Sequence, residues 1–339
     1  MPDCNSQCFL CDLPIRFDTY KGCTHLCKYC FVQRNNTLDV EKGESVKALK
    51  SFVEGGRSMH TNWCDWNIPL HWGGMSDPFQ PCERVHKRTL ECLQYLAKTQ
   101  YPVVISTKGK LCIESPWIDE LSKCNVVMQI SMLCSKYDKL EPGAPTYEER
   151  LEMVRVLSKR VKRVIARAQP YIHDIFDDVM KNIPRLAEAG AHGIIFEGMK
   201  FVKRKPGLVK CGGDWVQKEN VLRADFEKLR DECHKYGLAF YAGENRLRAM
   251  GDSLTCCGVA DLEGFEPNKY NLNHLMNGDK QEPTAAQQKV GTADCFAGMI
   301  QTTAGHRFLR KHSFSTATKW FYEQKREYVN EVLGKSGKG

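Results

Sequence analysis

The first 245 residues alternate between short apolar segments rich in β-branched residues and segments with the apolar spacing of helices. This order favours a parallel sheet or barrel, because parallel strands need a long, usually helical crossover between them. The predicted strands cover 15–20, 68–72, 102–107, 126–132, 164–169, 193–197 and 238–242. The predicted helices cover 43–55, 82–99, 115–122, 146–160, 174–189 and 218–236.

One helix start is clearly marked in the sequence. Thr146 precedes Glu149 by three residues, just before a series of apolar positions, and this is the pattern of a capping box. Beyond residue 245 the alternation stops, and we expect an irregular cap that ends in the amphipathic helix KWFYEQKREYVNEVL. The expected units are a cysteine-rich segment at 1–13, a barrel at 14–245 and the cap at 246–339.

Composition excludes several classes of protein. A chain of 339 residues with 42% hydrophobic content can bury a sizeable core. No apolar run approaches the roughly 18 residues of a membrane span, and the first residues lack the pattern of a signal peptide, so we expect a cytoplasmic protein. Seventeen cysteines is an odd number, which together with that expectation favours metal-bound or buried thiols over a disulfide framework.

The net charge of +8 is concentrated in two segments. Residues 200–210 contain five basic side chains and no acid, and residues 306–339 contain eight Lys or Arg against three Asp or Glu. Such segments suit a partner that carries phosphates. A solvated basic surface explains them equally well.

Two cysteine triplets share the spacing C-x3-C-x2-C. They are formed by Cys4, Cys8 and Cys11 and by Cys23, Cys27 and Cys30. The second triplet follows the first predicted strand, at the barrel end where such folds place their active sites. Three thiolates leave one iron of a [4Fe–4S] cluster open to a substrate or cofactor. A structural zinc knuckle is the alternative.

The segment GCTHLCKYCF around the second triplet resembles the cluster loop of radical S-adenosylmethionine enzymes. The segments GGMSDPFQPCE, STKG and EPGAPTYEER, which follow the next three predicted strands, are similar to segments of the spore photoproduct lyase-like branch. The resemblance covers roughly residues 14–245. It implies a partial (β/α)6-type TIM barrel with an irregular, partly helical C-terminal cap.

The resemblance also implies a reaction. Cys23, Cys27 and Cys30 would hold a [4Fe–4S] cluster whose open iron binds S-adenosylmethionine through its amino and carboxylate groups. An external one-electron reductant of the flavodoxin or ferredoxin type would drive cleavage to a 5′-deoxyadenosyl radical, which abstracts a hydrogen atom from the substrate.

The branch resemblance and the basic segments favour a nucleotide or nucleic-acid base as the substrate, which would be modified, rearranged or repaired. A peptide or small metabolite is the alternative with the same chemistry. A non-enzymatic iron–sulfur or zinc-ribbon module is the alternative of another class.

Further site residues follow from the resemblance and from position at the strand ends, where an ordinary surface residue is the alternative. The glycine-rich segment expected at the methionine end of the cofactor consists of Gly73, Gly74 and Met75. Strand-end candidates for ribose and carboxylate contacts are Lys108, Ser131, Arg167 and Gln169. In the segment DPFQP, we expect Asp77 and Gln80 near the substrate. Cys134 is a candidate hydrogen-atom donor, with a buried structural thiol as the alternative, and we expect His25 and His71 to have supporting roles.

The first triplet predicts a second metal site. Cys8 and Cys11 form a C-x2-C pair, which needs further ligands. Cys256 and Cys257 lie in the irregular cap, so we expect these four cysteines to join the N-terminal segment to the cap. The substitutes are Cys295 and Cys4. An auxiliary iron–sulfur cluster is favoured over zinc, and unligated buried thiols are the alternative.

Overall fold

The computed structural model describes residues 1–4, 10–32, 36–58, 60–61, 64, 66–211, 214–269, 271, 273–274 and 277. Cys8, Cys295, the expected terminal helix and the basic segment 306–339 lie outside these residues. Within the described ranges, none of the helices has both the length and the apolar character that crossing a membrane requires.

An eight-stranded sheet forms the centre of the structure. Seven strands run parallel in chain order, and β1 is antiparallel to β2 at one edge. The order across the sheet is β1 (Asp3–Cys4), β2 (Ile15–Phe17), β5 (Leu70–Trp72), β6 (Val103–Thr107), β7 (Val126–Ser131), β8 (Arg163–Tyr171), β9 (Gly193–Gly198) and β12 (Ala239–Ala242). Two hairpins stand apart from it, β3 (Tyr20–Lys21) with β4 (Glu41–Lys42), and β10 (Leu208–Cys211) with β11 (Asp214–Gln217).

Helices connect the successive parallel strands. They are α1 (Val46–Val53), α2 (Glu83–His86), α3 (Arg88–Thr99), α4 (Trp117–Leu121), α5 (Tyr147–Leu157), α6 (Phe176–Glu188) and α7 (Glu219–Lys235). The expected single helix at 82–99 is two helices, because Lys87 adopts a left-handed conformation with φ of 52°. The capping box is confirmed: the Thr146 hydroxyl accepts from the Glu149 N–H, and the Glu149 carboxylate accepts from the Thr146 N–H.

The two faces of the sheet differ in their cover. Helices pack on one face and bury the larger apolar core with it. The opposite face, here called the inner face, is apolar toward the amino ends of the strands, where segments that flank the barrel cover it. This second core consists of Leu13, Val104, Val127, Ile165, Ile195, Tyr241, Cys257, Val259 and Phe265. The carboxyl half of the inner face carries polar side chains instead, so the candidate reactive groups of this face lie at that end.

Polar contacts link the two edges of the sheet. Among the described residues, β12 pairs with β9 alone, so the sheet is an open, partial barrel. Asp12, which precedes β2, accepts hydrogen bonds from His274 Nε2 and Asn271 Nδ2, both at 2.8 Å. Arg248, which follows β12, places its Nη1 3.9 Å from the Asp12 carboxylate. These buried contacts attach the beginning of the cap to the segments beside β2 and β12, at the two sides of the open barrel.

Candidate active site

The second cysteine triplet lies in a loop after β3, and contacts with the rest of the protein set its conformation. Lys28 N–H donates to the carbonyl of Leu140 (2.9 Å), in the loop after β7. The side chain of Asn36 donates to the carbonyl of Cys27 (2.9 Å). The three cysteines therefore occupy one short, supported loop at the carboxyl edge of the sheet.

The thiols of this loop suit a thiolate-bound metal centre. Cys27 is buried, and Cys23 and Cys30 are half-buried, with the Val32 N–H donating to Cys30 Sγ at 3.4 Å. The described cysteines form no disulfides with one another. Burial raises the pKa of the Cys23 thiol to about 12 and also raises that of Cys27, so metal binding would have to displace their protons. The donor set fits the cluster that the resemblance implies.

The spacing of ligands distinguishes a cluster from a single ion. Among the described residues, no three histidine, cysteine or carboxylate side chains are set to hold one metal ion. Ligands of one zinc ion must all lie about 2.0 to 2.3 Å from the same atom. Thiolates of a [4Fe–4S] cluster bind different irons and stand further apart. The absence of such a set among the described residues therefore argues against a single-ion site there. It does not bear on a cluster, which stays a prediction.

Asp77 is buried and holds several loops together. Its carboxylate accepts from Thr107 Oγ1, from His25 Nε2 and from the backbone N–H groups of Phe79, Lys108 and Gly109. Burial opposes ionisation, but His25 and these donors outweigh it and hold the pKa of Asp77 at about 2. The other ring nitrogen of His25 bonds the carbonyl of Gly143 at 3.0 Å. These contacts suit a positioning role, and a substrate contact by Asp77 stays a prediction.

Gln80, expected near the substrate, also contacts the cluster loop. Its Oε1 accepts from the Thr24 N–H at 3.1 Å, and its Nε2 donates to the Gly22 carbonyl at 3.1 Å. The side chain is fully buried. Gln80 therefore fixes the backbone on both sides of Cys23.

The aromatic residue of the cluster loop is fixed by a buried carboxylate. Tyr29 donates its hydroxyl to Glu141, and Arg150 Nη2 donates to the same carboxylate. Lys108 Nζ lies 3.8 Å from Glu141 and 5.7 Å from the centre of the Tyr29 ring. The segment EPGAP thus orients Tyr29, and it brings the expected cofactor residue Lys108 next to the cluster loop.

A row of polar side chains crosses the inner face above the apolar core. His71 Nε2 bonds Ser106 Oγ at 2.9 Å, and Ser106 donates to Gln129 Oε1 at 3.0 Å. Arg167 donates to Gln129 Oε1 at 2.9 Å and to Gln169 Oε1 at 2.6 Å. The structure therefore brings the expected residues Arg167 and Gln169 into one hydrogen-bonded row.

Further members extend this row on either side. Glu197 lies 3.7 Å from Arg167 Nη2, and Ser131 pairs with Arg167 across strands β7 and β8. Arg16 on β2 donates from Nη1 to His71 Nδ1. The row spans the sheet from β2 to β9.

Other parts of the protein pack closely against the backbone of the glycine segment after β5. Gly73 has φ of +86°, and a side chain there would collide with the Ser106 carbonyl. A Cβ atom on Gly74 would lie 2.6 Å from Arg16 Nη1. Met75 is partly exposed. The absent side chains are thus explained by internal packing, and contact of this segment with the cofactor stays a prediction.

Cys134 lies in the larger apolar core, on the face covered by helices. It is buried, and burial raises the pKa of its thiol. These surroundings match those of a structural thiol, and a hydrogen-atom donor role stays a prediction.

The proposed second metal site is only partly described. Cys11 and Cys256 are close enough for their charges to interact, and Arg248 contacts the Cys256 side chain. The Cys256 N–H donates to Asp12 at 3.3 Å, whereas Cys257 packs in the apolar core of the inner face. Cys8 lies outside the described residues, so this site stays a prediction.

Sequence reasoning missed several residues that organise the site. Arg16 and Asp18 went unnoticed, and Ser106 and Gln129 were assigned no role. The strands contain a signal that could have identified them. Every second residue of a strand faces the inner side, and along each strand the inward-facing residues change from apolar to polar. Val104 and Ser106 on β6 show this change within one strand.

Comparison with known proteins identifies the architecture. No family model matches the chain. Solved structures of radical S-adenosylmethionine enzymes share the fold of this chain, which confirms the predicted α/β architecture. At the identities found, this likeness shows the fold alone.

Two of these structures were solved with different kinds of bound molecule. A spore photoproduct lyase mutant, solved with AdoMet and a dinucleoside spore photoproduct, has a TM-score of 0.51 and 14% identity, covering 68% of this chain and 76% of the lyase. Streptococcus suis SuiB bound to precursor peptide SuiA has a TM-score of 0.51 and 12% identity, covering 70% of this chain and 51% of SuiB.

Sequence relatives extend the comparison. Uncharacterised proteins of Mycobacterium tuberculosis and Mycobacterium bovis are 25% identical to this chain over 217 residues. The match spans 59% of this chain and 63% of each relative, so the chain covers less than two thirds of their length.

The two glycines after β5 predict different effects of alanine. Gly73→Ala places Cβ against the Ser106 backbone at positive φ, and it should lower the free energy of unfolding by about 2 kcal/mol or more. Gly74→Ala meets only the flexible end of Arg16, so its cost should stay within about 1 kcal/mol while S-adenosylmethionine binding weakens. Urea unfolding and calorimetry on reconstituted protein measure both effects. Equal unfolding costs, or unchanged binding in Gly74→Ala, would contradict this account.

If the second metal site exists, the protein should still bind metal when the three cysteines of the cluster loop are removed. In a variant with Cys23, Cys27 and Cys30 changed to alanine, we expect residual iron with sulfide, or residual zinc, by elemental analysis. Loss of that residual metal on changing Cys11 and Cys256 assigns the site. A triple variant with no bound metal rules the site out.

Proposed function

We propose that this protein is a radical S-adenosylmethionine enzyme. The observation that carries the proposal is the set of three thiols in one supported loop, at the carboxyl edge of an open parallel barrel. Cys23, Cys27 and Cys30 would hold a [4Fe–4S] cluster. When bound and reduced, the cluster supplies the electron that cleaves S-adenosylmethionine into methionine and a 5′-deoxyadenosyl radical, which takes a hydrogen atom from the substrate.

The protein's own residues would bind and orient the cofactor. The segment from Gly73 to Met75 would face its methionine end. Lys108 lies beside Tyr29, and it would approach the cofactor next to the cluster loop. Ser131, Arg167 and Gln169 lie toward the carboxyl ends of β7 and β8, where they would contact ribose or carboxylate oxygens. The apolar core of the inner face excludes water from below the site.

A nucleotide or nucleic-acid base is the proposed substrate. The connection between β9 and α7 is strongly basic, and we call residues 199–218 the basic arm. It contains Lys200, Lys203, Arg204, Lys205, Lys210 and Lys218, against the single acid Asp214. The arm begins at the carboxyl end of β9, on the side of the sheet where the cluster loop lies.

Aromatic rings accompany these charges. Arg204 lies over the Trp215 ring, 5.7 Å from its centre, and Lys205 lies over Phe201 at 5.0 Å. Both rings are partly exposed. Basic groups that alternate with aromatic rings are typical of surfaces that bind phosphates and stack bases. The structurally similar lyase, solved with a dinucleoside, supports the same substrate class.

A peptide substrate is the second candidate. The observation that favours it is the shared fold of SuiB, which was solved with a precursor peptide. The radical chemistry would be the same. The basic arm would then bind an acidic peptide. Nucleic acids would bind to the arm through charge alone, without preference for sequence.

The enzyme assignment predicts cofactor cleavage that depends on Cys27. Anaerobically reconstituted protein, reduced with dithionite, should convert S-adenosylmethionine to 5′-deoxyadenosine, measured by chromatography. Cys27→Ser should abolish the product, because two remaining thiolates cannot hold the cluster with one open iron. Cys233→Ala, which removes a buried thiol from α7, is the matched control and should stay active. If wild-type protein with an intact cluster forms no 5′-deoxyadenosine, the enzyme assignment is wrong.

The basic arm predicts salt-dependent nucleic-acid binding. Replacing three of its residues by glutamine should weaken binding of a single-stranded oligonucleotide and lower the slope of log affinity against log salt by about 2. The variant carries Lys203→Gln, Arg204→Gln and Lys205→Gln. A matched variant changes exposed lysines at the ends of helices α3, α4 and α5, near the amino ends of the strands. These control residues are Lys98, Lys123 and Lys159.

The two variants remove equal charge from opposite ends of the barrel. Equal loss of affinity in both would show a general charge effect and count against the arm. No binding by wild-type protein at low salt would favour a free nucleotide, peptide or small metabolite as the substrate.

A further inference from the structure

Exposed apolar side chains lie in and beside the cluster loop. Outside the basic arm, the three most exposed large apolar side chains of the described residues are Phe31, Val85 and Leu38, at 81%, 78% and 77%. We call these three side chains the entry face. Phe31 directly follows Cys30, and Leu38 lies a few residues further along, ahead of β4.

Backbone and side-chain contacts place Leu38 and Val85 next to the cluster loop. The Thr37 N–H donates to the carbonyl of Cys23 at 3.3 Å, so the chain just before Leu38 runs beside that cysteine. Val85 lies on α2, where Glu83 accepts a hydrogen bond from the Tyr20 hydroxyl on β3. The members of the entry face are thus grouped around one loop, and grouped apolar exposure marks a surface that meets a partner.

The entry face also lies beside the cysteines that are open to solvent. Cys23 and Cys30 are half-buried, whereas Cys27 is buried. A partner that covers Phe31 would therefore lie close to the thiols of the loop. Because electron transfer between proteins slows steeply with distance, this position suits a partner that delivers electrons.

Basic side chains form the rim of the entry face. The rim contains four exposed lysines against two exposed acids. The lysines are Lys21, Lys28, Lys42 and Lys87, and the acids are Asp39 and Glu41. An apolar centre with a charged rim is typical of protein interfaces, and an excess of positive charge favours an acidic partner and speeds its encounter.

We propose that the entry face is the docking site of a small acidic protein that carries one electron, of the flavodoxin or ferredoxin type. This inference rests on the proposed function and deepens it, because it assigns the partner to named residues. The reduced carrier gives one electron to the oxidised cluster and is itself oxidised by one electron. Encounters of this kind bury little surface, so three apolar side chains with a charged rim provide enough contact.

The first measurement is binding, which does not depend on turnover. Reconstituted, anaerobic protein is titrated by calorimetry with an acidic flavodoxin and with an acidic ferredoxin. The double variant Phe31→Ser with Leu38→Ser should bind the carrier about 10-fold more weakly, because it truncates the apolar centre of the interface. Lys21→Glu with Lys87→Glu should weaken binding at low salt, and this loss should shrink as added salt screens the charges.

The second measurement compares two sources of electrons. Dithionite is small and needs no docking face, so with dithionite both double variants should form 5′-deoxyadenosine at the wild-type rate. With the reduced carrier, their clusters should be reduced about 10-fold more slowly, followed by the loss of visible absorbance. The charge variant leaves Phe31 and Leu38 unchanged, so it tests the proposal independently of how well the serine variant holds its cluster.

Matched controls change exposed residues near the amino ends of the strands. Tyr236→Ser removes an exposed ring after α7, and Lys98→Glu with Lys159→Glu reverses two charges at the ends of α3 and α5. Both controls should match the wild type in binding and in reduction by the carrier.

The outcomes separate the two proposals. If wild-type protein with an intact cluster forms no 5′-deoxyadenosine with dithionite, the proposed function fails. If dithionite supports turnover but the entry-face variants bind the carriers and accept their electrons like the wild type, the docking site is wrong. Equal losses in the control variants, or no binding of either carrier by the wild type at low salt, would also overturn it. A wild-type dimer that becomes a monomer in Phe31→Ser with Leu38→Ser, seen by sedimentation, would assign the face to a second copy of the chain instead.

Discussion

The buried Asp77 carboxylate is the contact on which the geometry of the candidate site depends. It accepts from the end of β6 through Thr107, Lys108 and Gly109, and from the cluster loop through His25. His25 in turn reaches the loop after β7 through the carbonyl of Gly143. Three loops from different strands thus meet at one side chain. Because a buried carboxylate is costly without such donors, loss of one loop contact would affect the others.

The inward-facing side chains of the strands divide the barrel interior into an apolar zone and a polar zone. Apolar residues such as Val104 and Val127 meet the cap below, and polar residues such as Ser106 and Gln129 lie one step further along the same strands. Gln129 connects the zones, since its Nε2 donates to the carbonyl of Cys257 in the cap at 3.2 Å. The cap therefore does more than shield apolar surface, because it also helps to orient the polar row.

Local patterns were enough to predict the parallel architecture and most helices, and the capping box at Thr146 was marked by two residues alone. The break at Lys87 was not predictable, because a lysine in the left-handed conformation leaves no signal in the apolar spacing. The contacts of Arg16 and Asp18 with the turn after β5 depend on strand order, which brings together residues more than 50 positions apart. Sequence spacing does not encode such contacts.

The central claim is that three thiols hold a cluster with an iron open to the cofactor. Electron paramagnetic resonance of the reduced, reconstituted protein, recorded before and after addition of S-adenosylmethionine, tests it most directly. We expect the signal of a reduced [4Fe–4S] cluster, and a change in its g values when the cofactor is added, because ligation at the open iron alters the electronic structure. A [4Fe–4S] signal that stays unchanged at saturating cofactor, or the absence of any cluster signal after reconstitution, would contradict the account.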